Sequence, residues 1–334
     1  MTFNVLLTDY AWPSLKIERE VLEAAGGHLI VAESDADSDL AELATTADAI
    51  LTNWRRVPVE VLDMASRCLV VSRYGIGVDN IPVARATELG ILVTNVPDFC
   101  LDEVSDHAMA LILACARRLV TFNALTRKGS WNLDAAAGMS RLRGQTLGLI
   151  GFGNVARAVV PKARAFGLDV LAYSPRLEPG RREGLETTND LQQVLAASDY
   201  VSLHAPANAE TIGLIGAPEL AAMKPGAYLI NTSRGALIDE EALARVVREG
   251  RIAGAALDVL AHEPAPADHP LLGLDGVIIT PHVAFYSEAA IRDVESRAAS
   301  NVADVLRGRL PTAIVNPEVA ERPNFRFARA YADR

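Results

Sequence analysis

The chain alternates short apolar runs with amphipathic segments, and it does so in two series. The first series contains FNVLLT, HLIVA, DAILTN and CLVVSR, each separated from the next by a segment of helical spacing. The second contains TLGLI, DVLAY, YVSLH, AYLIN, AGAALD and VIIT. Such alternation is typical of parallel sheets covered by helices on both faces. The sequence therefore predicts an α/β protein with two doubly wound parallel-sheet domains, Rossmann-like or flavodoxin-like.

The length supports two domains, because 334 residues exceed what one hydrophobic core usually holds. The pattern changes near residue 100, where DEVSDHAMALILACARR forms one long helix with an apolar face. The last long helix is expected to return to the first domain. We therefore predict a discontinuous domain of residues 1–98 plus 288–334 and a second domain of residues 99–287. The polar tail after Pro317 is expected to be partly mobile.

Composition excludes several classes of protein. A formal net charge of −10 argues against a protein that binds the nucleic-acid backbone, since such proteins concentrate positive charge. The three cysteines, Cys68, Cys100 and Cys115, are odd in number and lie among apolar residues, which predicts reduced core thiols. The N-terminus lacks the basic region of a signal peptide, and no apolar run is long enough to span a membrane. These features predict a cytoplasmic protein.

The sequence GFGNVA, residues 151–156, follows an apolar strand and opens a helix, as in dinucleotide-binding domains. Gly151 would make the tight turn, and Gly153 would let the backbone approach a pyrophosphate at the helix N-terminus. Ala156 takes the place of the third glycine. The same residues could form an ordinary strand-to-helix turn, but the strand–helix–strand context favours a dinucleotide.

The next strand ends in Ser174, Pro175 and Arg176, where NAD-binding domains usually place an acid that holds the ribose hydroxyls. An acid there would repel the 2′-phosphate of NADP, whereas a hydroxyl can donate to it and a guanidinium can pair with it. The sequence therefore favours NADP(H) as cofactor, with NAD(H) possible. In the alternative interpretation Arg176 only faces solvent, with Glu178 competing for it.

Polar residues follow three later strands, at the sheet edge where open parallel sheets bind ligands. AYLIN, AGAALD and VIIT lead, in order, into Thr232, Ser233 and Arg234, into Asp258, and into Pro281 and His282. Arg234 can bind a carboxylate and polarise a ketone, and His282 can transfer a proton. Glu263 can orient the imidazole and favour its charged form. Each of these three residues alone has a structural explanation, but together they suit the reduction of a 2-oxo acid. Two other histidines, His107 and His262, are expected to be structural.

These stretches resemble the D-isomer-specific 2-hydroxyacid dehydrogenases over nearly the whole chain, from Asp48 to Pro317. The matching segments are RYGIGVDNI, NVPDFCLDEVSDHAMALIL, GLIGFGNVA, LINTSRGALIDEEAL, GRIAGAALDVLAHEP and TPHVAFYSEAA. Within the family, NVPDFCLDEVSDHA and PHVAFYSEAA are most similar to the C-terminal-binding protein branch, whose animal members act as NAD(H)-dependent transcriptional corepressors.

The resemblance implies a discontinuous substrate-binding domain, a dinucleotide-binding domain and a cleft between them. It also implies a homodimer formed through the dinucleotide-binding domain. It implies Arg234, Glu263 and His282 as the catalytic set. No metal site is predicted, and neither nucleic acid nor a membrane is an expected partner. Substrate contacts would come from Arg73, Ile76, Gly77 and Phe285.

The predicted cofactor contacts combine the glycine sequence, the strand tip at Ser174 and positions that the resemblance implies. They are Val104, Gly151, Gly153, Asn154, Val155, Ser174, Pro175, Arg176, His204, Pro206, Thr232, Ser233, Asp258 and Ala284. Two departures from the family pattern bear on the cofactor rather than on the fold. Ser174 replaces the usual acid, and Asn154 stands where an arginine often touches the pyrophosphate.

The sequence thus predicts an NAD(P)-dependent oxidoreductase that interconverts a small 2-oxo acid and its D-2-hydroxy acid. One alternative is an NAD-dependent enzyme for a related acid such as phosphoglycerate or hydroxypyruvate. An alternative of another class is a nucleotide-sensing, corepressor-like dimer that binds peptides and turns over little. An exposed apolar groove on the first domain would favour that last interpretation.

Overall fold

The computed structural model describes residues 2–34, 36–182 and 185–332. The chain divides into two compact units, unit 1 of Met1–Phe99 with Ser287–Arg334 and unit 2 of Cys100–Tyr286. The boundaries expected from the sequence lie one residue from these. Each unit has its own parallel sheet, so the prediction of two parallel-sheet α/β domains is confirmed.

Unit 1 is built on five parallel strands in the order β2-β1-β3-β4-β5, which is the flavodoxin-like order. Its strands are β1 Phe3–Leu7, β2 Gly27–Val31, β3 Ala49–Thr52, β4 Val70–Arg73 and β5 Leu92–Thr94. Its helices are α1 Lys16–Glu23, α2 Asp37–Ala44, α3 Val59–Met64, α4 Val83–Glu88, α11 Glu288–Leu306 and α12 Arg326–Ala330.

Both faces of this sheet are buried, because successive side chains of a strand point to opposite sides. Val5 and Leu7 pack with α1 and α11, whereas Leu6, between them, packs with α2, α3 and α4. The side chain of Ser287 starts α11 by accepting a hydrogen bond of 2.9 Å from the backbone N–H of Ala290. The return of the last long helix places its small apolar residues against the first sheet.

The C-terminal tail after Pro317 packs on unit 1, where Val319 and Phe325 are buried in the core, and its partial mobility stays a prediction. The residue just before it is also held in place. Asn316 is fully buried, and its side-chain oxygen accepts from the backbone N–H of Val93 at 2.8 Å. The side-chain amide donates to the hydroxyl of Thr87 at 2.8 Å and to the carbonyl of Ile91 at 3.0 Å. The polar composition of this region suggested mobility. The contacts that hold it were not foreseen because their partners are distant in sequence.

Unit 2 contains eight strands in the order β13-β12-β11-β10-β6-β7-β9-β8, all parallel except β8. They are β6 Thr146–Ile150, β7 Asp169–Tyr173, β8 Gly180–Arg182, β9 Leu185–Thr188, β10 Tyr200–Leu203, β11 Tyr228–Asn231, β12 Gly254–Leu257 and β13 Val277–Ile279. The helices are α5 Leu101–Ala116, α6 Leu119–Arg127, α7 Asn154–Ala165, α8 Leu191–Ala197, α9 Ala217–Ala222 and α10 Glu240–Arg248.

The run β9-β7-β6-β10-β11-β12 has the strand order of dinucleotide-binding domains. The chain adds strands β6, β7 and β9 toward one edge and then β10, β11 and β12 toward the other, so the order reverses between β6 and β10. Helices α5 and α7 cover one face of the sheet and α8, α9 and α10 cover the other. Ligands of such sheets bind beyond the carboxyl ends of the strands at this reversal. The fold therefore directs attention to the loops that follow β6 and β10.

The three cysteines are free and buried, which confirms the prediction of reduced core thiols. Burial raises the pKa of the Cys68 and Cys115 thiols to about 12. Within the described residues no single helix has the length and apolar composition needed to span a membrane, although the bent pair α5 and α6 passes that test together.

Candidate active site

The loops beyond the carboxyl ends of the unit 2 strands are tied to one another by backbone hydrogen bonds. Gly151, after β6, donates to the carbonyl of Tyr173 at 2.9 Å. His204, after β10, donates to the carbonyl of Ile150 at 2.7 Å. The hydroxyl of Ser233, after β11, donates to the carbonyl of Leu203 at 2.9 Å. The polar residues predicted from the strand ends therefore lie on one connected edge.

His282 and Glu263 form a hydrogen-bonded pair, with 2.7 Å between Nδ1 and Oε2. The other carboxylate oxygen of Glu263 accepts from the backbone N–H of Leu260 at 2.8 Å. An ionised carboxylate only accepts, so Nδ1 carries a proton and Nε2 is the ring nitrogen that can exchange a proton with a ligand. Both side chains are about one-third exposed, at 30% and 35%, so a ligand can reach them.

The pKa of Glu263 is lowered overall. Burial acts in the opposite direction and raises it, but the hydrogen bonds from His282 and Leu260 and the charges of His282 and Arg234 outweigh burial. Glu263 is therefore ionised at neutral pH. In that state it accepts the hydrogen bond from Nδ1 of His282.

Arg234 is placed near this pair by a glycine. A Cβ on Gly235 would lie 1.9 Å from the carbonyl carbon of Leu260, so only glycine lets the two loops meet this closely. Arg234 itself donates from Nη1 to the carbonyl of Ser233 at 2.8 Å, and its own carbonyl accepts from the side-chain amide of Asn231. The Ser-Arg-Gly turn thus fixes the guanidinium beside the segment that carries Glu263.

Asp258 holds the turn that carries His282. Its carboxylate, only 1% exposed, accepts from the backbone N–H groups of Val283 at 3.0 Å and Ala284 at 2.9 Å. Its carbonyl accepts from the N–H of His282 at 2.8 Å. These bonds keep His282 at a φ of 53°, a left-handed conformation that costs a non-glycine residue about 1–2 kcal/mol.

Sequence reasoning missed the link from Asp258 to Thr280 and His107. The Thr280 hydroxyl donates to the Asp258 carboxylate at 2.5 Å, so its oxygen accepts from Nε2 of His107 at 3.0 Å. His107 also lies 3.6 Å from that carboxylate. The signal available was a threonine at the strand end just before Pro281 and His282. These contacts are consistent with the structural role expected for His107. Through Thr280 and Asp258, it supports the turn that carries His282.

The predicted substrate residues are divided between the units. In unit 2, the rings of Phe285 and His282 are 6.4 Å apart and nearly perpendicular. In unit 1, Arg73 ends β4 and donates from Nη1 to the carbonyl of Tyr74, and the carbonyl of Ile76 accepts from the side chain of Asn95 at 2.7 Å. Ile76 and Gly77 lie in the loop that follows β4. Their roles in substrate binding remain predictions.

The glycine sequence forms a cradle that suits a dinucleotide. Gly151 has a φ of 93°, and a Cβ there would lie 2.6 Å from the backbone of His204. A Cβ on Gly153 would meet nothing within 4 Å, so open space lies above the N-terminus of α7, which starts at Asn154. Backbone N–H groups and the helix dipole favour a phosphate at such a position.

Two buried polar atoms on this edge lack a partner among the described residues, Nδ1 of His204 and Oγ1 of Thr232. Buried polar groups are rarely left unpaired, because the lost solvation costs about 1–3 kcal/mol. A polar ligand held at the cradle would supply such partners. The chain's residues therefore fit the dinucleotide cofactor that the sequence predicted.

The tip of β7 is accessible. Ser174 is half-buried, and Pro175 and Arg176 are exposed; in the described part of the chain the Arg176 guanidinium has no hydrogen-bond or ion-pair partner. The competition from Glu178 considered above is therefore not seen. The other predicted cofactor contacts lie in the first turn of α5, at Val104, near the N-terminus of α7, at Val155, and after strands of the same sheet, at Pro206 and Ala284.

Comparison with known proteins identifies the family to which the chain belongs. The sequence profile described as "D-isomer specific 2-hydroxyacid dehydrogenase, NAD binding domain" matches residues 109–284. The chain belongs to the D-isomer specific 2-hydroxyacid dehydrogenase family.

Individual members of the family are similar over most of the chain. A glyoxylate reductase of Korarchaeum cryptofilum is 40% identical over 79% of this chain and 81% of its own length. A D-3-phosphoglycerate dehydrogenase of Methanocaldococcus jannaschii is 38% identical over 94% of this chain, which spans only 59% of that relative. None of these is a C-terminal-binding protein, so the closer resemblance to that branch remains a hypothesis.

A solved structure gives the same result for the fold. The NADPH-dependent glyoxylate/hydroxypyruvate reductase of Sinorhizobium meliloti, in complex with NADP and malonate, superimposes with a TM-score of 0.82 at 27% identity. The match covers 94% of this chain and 97% of that one. The protein is thus an oxidoreductase of the D-2-hydroxyacid dehydrogenase type.

The buried imidazole of His204 predicts a pH dependence of stability. Burial lowers its pKa from 6.5 to about 4, so between these values the unfolded chain binds a proton that the folded chain does not. The free energy of unfolding should therefore fall as the pH falls through this window, by up to about 1.4 kcal/mol per pH unit from this group. Urea unfolding of His204→Gln should show a shallower pH slope than the wild type.

The control for this experiment is His262→Gln, which changes an exposed histidine of the same unit and should keep the wild-type slope. Equal slopes for the wild type and His204→Gln would contradict the burial of a neutral imidazole.

Proposed function

We propose that the protein interconverts a small 2-oxo acid and its D-2-hydroxy acid with NADP(H), accepting NAD(H) more weakly. The observation that carries the proposal is the 2.7 Å pair of His282 and Glu263 on the same edge as Arg234 and the glycine cradle. A histidine held by a carboxylate beside a guanidinium is the set that reduction of a 2-oxo acid requires.

The bound nicotinamide supplies the hydride that the carbonyl carbon receives in the reductive direction. Arg234 pairs with the substrate carboxylate and polarises the ketone, which stabilises the negative charge that develops on oxygen. His282 donates the proton of Nε2 to that oxygen and recovers one from solvent afterwards. Glu263 keeps the imidazole oriented while the proton is transferred. In the reverse direction Nε2 accepts the hydroxyl proton.

The preference for NADP(H) rests on the tip of β7. A carboxylate that would repel a 2′-phosphate is absent from positions 174–176, and Arg176 is an exposed cation without a partner in the described residues. Ser174 can donate a hydrogen bond to the same phosphate. The S. meliloti relative, which binds NADP, is consistent with this choice.

We infer that two chains associate through unit 2. Helix α6 buries none of its residues within the chain, and Trp131 and Leu133, which follow it, are 86% and 79% exposed. Large apolar side chains exposed together often mark a protein–protein interface. This surface therefore suits a second copy of unit 2.

The alternative of an NAD-dependent enzyme for phosphoglycerate draws support from the M. jannaschii relative, whose name gives that substrate. Arg73, in the predicted substrate loop, could serve a second anionic group. A screen of glyoxylate, hydroxypyruvate, phosphohydroxypyruvate and branched 2-oxo acids with NADPH and with NADH distinguishes the two. The corepressor-like alternative is less favoured, because a paired histidine and glutamate are needed for turnover and not for peptide binding.

The catalytic assignment predicts large losses of rate. His282→Ala should lower kcat about 10²- to 10⁴-fold, since proton transfer by a positioned group contributes that much. Arg234→Gln should lower kcat/KM about 10²- to 10³-fold. Both variants should keep their affinity for NADPH in a fluorescence titration. His262→Gln is the matched control with wild-type turnover; unchanged turnover in His282→Ala with every 2-oxo acid would refute the assignment.

The cofactor assignment predicts tighter binding of NADPH than of NADH. Arg176→Gln should weaken NADPH about fivefold or more and leave NADH unchanged, because only NADPH carries the 2′-phosphate. Arg164→Gln removes the same charge from the other end of α7 and should alter neither. Fluorescence titration measures both constants. Tighter binding of NADH by the wild type would exclude the NADP(H) preference.

The interface assignment predicts a dimer of twice the 35.7 kDa chain in sedimentation equilibrium. Replacing Trp131 and Leu133 by serine should shift the protein toward the monomer, because the exposed apolar surface is lost. The exchange of the exposed Met64 of unit 1 for serine is the control and should leave the mass unchanged. A wild-type monomer at micromolar concentration would argue against the interface.

A further inference from the structure

Unit 1 contains a basic cavity outside the predicted substrate loop. The cavity has a volume of about 440 Å³ and is bordered by Arg67, Arg326 and Arg329, with Ser66 and Asn324 as further polar residues. We call it the arginine groove. Leu69 and Leu89 supply its apolar lining. The volume is sufficient for a small-molecule ligand.

The charge of the groove is opposite to that of the chain. None of its described lining residues is acidic, although the whole chain has a formal net charge of −10. Asp48 lines a neighbouring depression and pairs with Arg67 at 2.8 Å. That pair is formally neutral. Arg326 and Arg329 are therefore left with two positive charges.

Arg326 is fixed in place by backbone carbonyls rather than by a carboxylate. Nη1 donates to the carbonyls of Ala65 at 2.5 Å and Cys68 at 3.0 Å, and Nε donates to Leu89 at 2.8 Å. Ala65 and Leu89 are the residues that directly follow α3 and α4, and carbonyls at the C-terminus of a helix carry partial negative charge. These contacts explain why the guanidinium is ordered, but they use only Nε and Nη1.

The remaining nitrogen of Arg326, Nη2, has no partner among the described residues, and it is not among the atoms sealed from solvent. Arg329 is exposed, and its guanidinium likewise has no partner in the described residues. A planar guanidinium that is held rigidly, with one edge directed to solvent, recognises carboxylate and phosphate oxygens at low entropic cost. The second guanidinium can then contact the same ligand.

We propose that the arginine groove binds a small polyanion that carries a phosphate or several carboxylates. The groove is formed by the segment just before β4 and by the docked tail, whereas Arg73 is the last residue of β4 and the predicted substrate loop follows it. Strand β4 has four residues and is about 13 Å long, so the groove is a second site and not part of the substrate loop. The proposal does not depend on the proposed function.

The test uses the full chain, with inorganic phosphate and citrate as probes, titrated by calorimetry at constant ionic strength against sodium chloride. Saturable binding of phosphate or citrate, with a rise in Tm that chloride does not produce, is the expected result. The probe that binds more tightly tells phosphate from polycarboxylate as the preferred chemistry. Heat and Tm changes equal to those of chloride would overturn the proposal.

Variants locate the site. Arg329→Gln should raise the Kd of the tighter probe about fivefold or more, because one charge-assisted contact is lost. Arg67→Gln should abolish binding, since it also leaves Asp48 as an unpaired negative charge. Arg322→Gln removes an exposed arginine of the same tail outside the groove and should bind as the wild type does. Arg326 is left unchanged, because its loss could unfold the tail.

The variant Arg73→Gln distinguishes anion binding in the groove from anion binding at the predicted substrate loop. It should not weaken the binding of the probe to the groove. Wild-type affinity in Arg329→Gln, or a loss confined to Arg73→Gln, would show that the anion binds elsewhere.

Discussion

The carboxylate of Asp258 is the interaction on which the candidate active site depends. It lies at the end of β12, almost fully buried, and a buried carboxylate is unfavourable unless every lone pair is satisfied. Thr280, Val283 and Ala284 supply the donors, and the last two of these belong to the turn that carries His282. Because the buried carboxylate of Asp258 needs hydrogen-bond donors, the backbone N–H groups of Val283 and Ala284 must lie beside it, and this fixes the conformation of the loop after β13. The left-handed conformation of His282 is stable because leaving that turn would strand the charge.

Close backbone contact is the second constraint on the site. Gly235 lets the arginine turn touch Leu260, and Gly151 lets the loop after β6 touch the loop after β10. A side chain at position 235 would push apart the loops that carry Arg234 and Glu263. A side chain at position 151 would push apart the loops that form the predicted cofactor cradle. Two buried polar atoms of this edge, on His204 and Thr232, have no partner among the described residues, and a bound polar ligand would supply one. Catalytic and cofactor-binding groups are thus organised by glycines and one buried acid.

Much of this arrangement could be predicted from the sequence, because hydrophobic alternation identifies parallel strands and parallel strands place their following residues on one edge. Arg234, Asp258 and His282 were found in that way, and ten of the strands correspond to quoted apolar runs. Strand β5 was not singled out, and the antiparallel pair of β8 and β9 was missed because GRR and LETT contain no apolar run. The docking of Asn316 and Arg326 was missed for another reason. Their partners lie more than 200 residues away, and composition carries no information on such contacts.

The buried thiols of Cys68 and Cys115 have a consequence for the chemistry of the folded chain. A thiol with a pKa of about 12 is almost wholly protonated at neutral pH, and only the thiolate attacks electrophiles or peroxide. One of these residues belongs to the core of each unit. Each unit therefore contains an internal reporter whose alkylation becomes possible only when that unit opens, so that the two cysteines record separately the local unfolding of the two halves of the molecule.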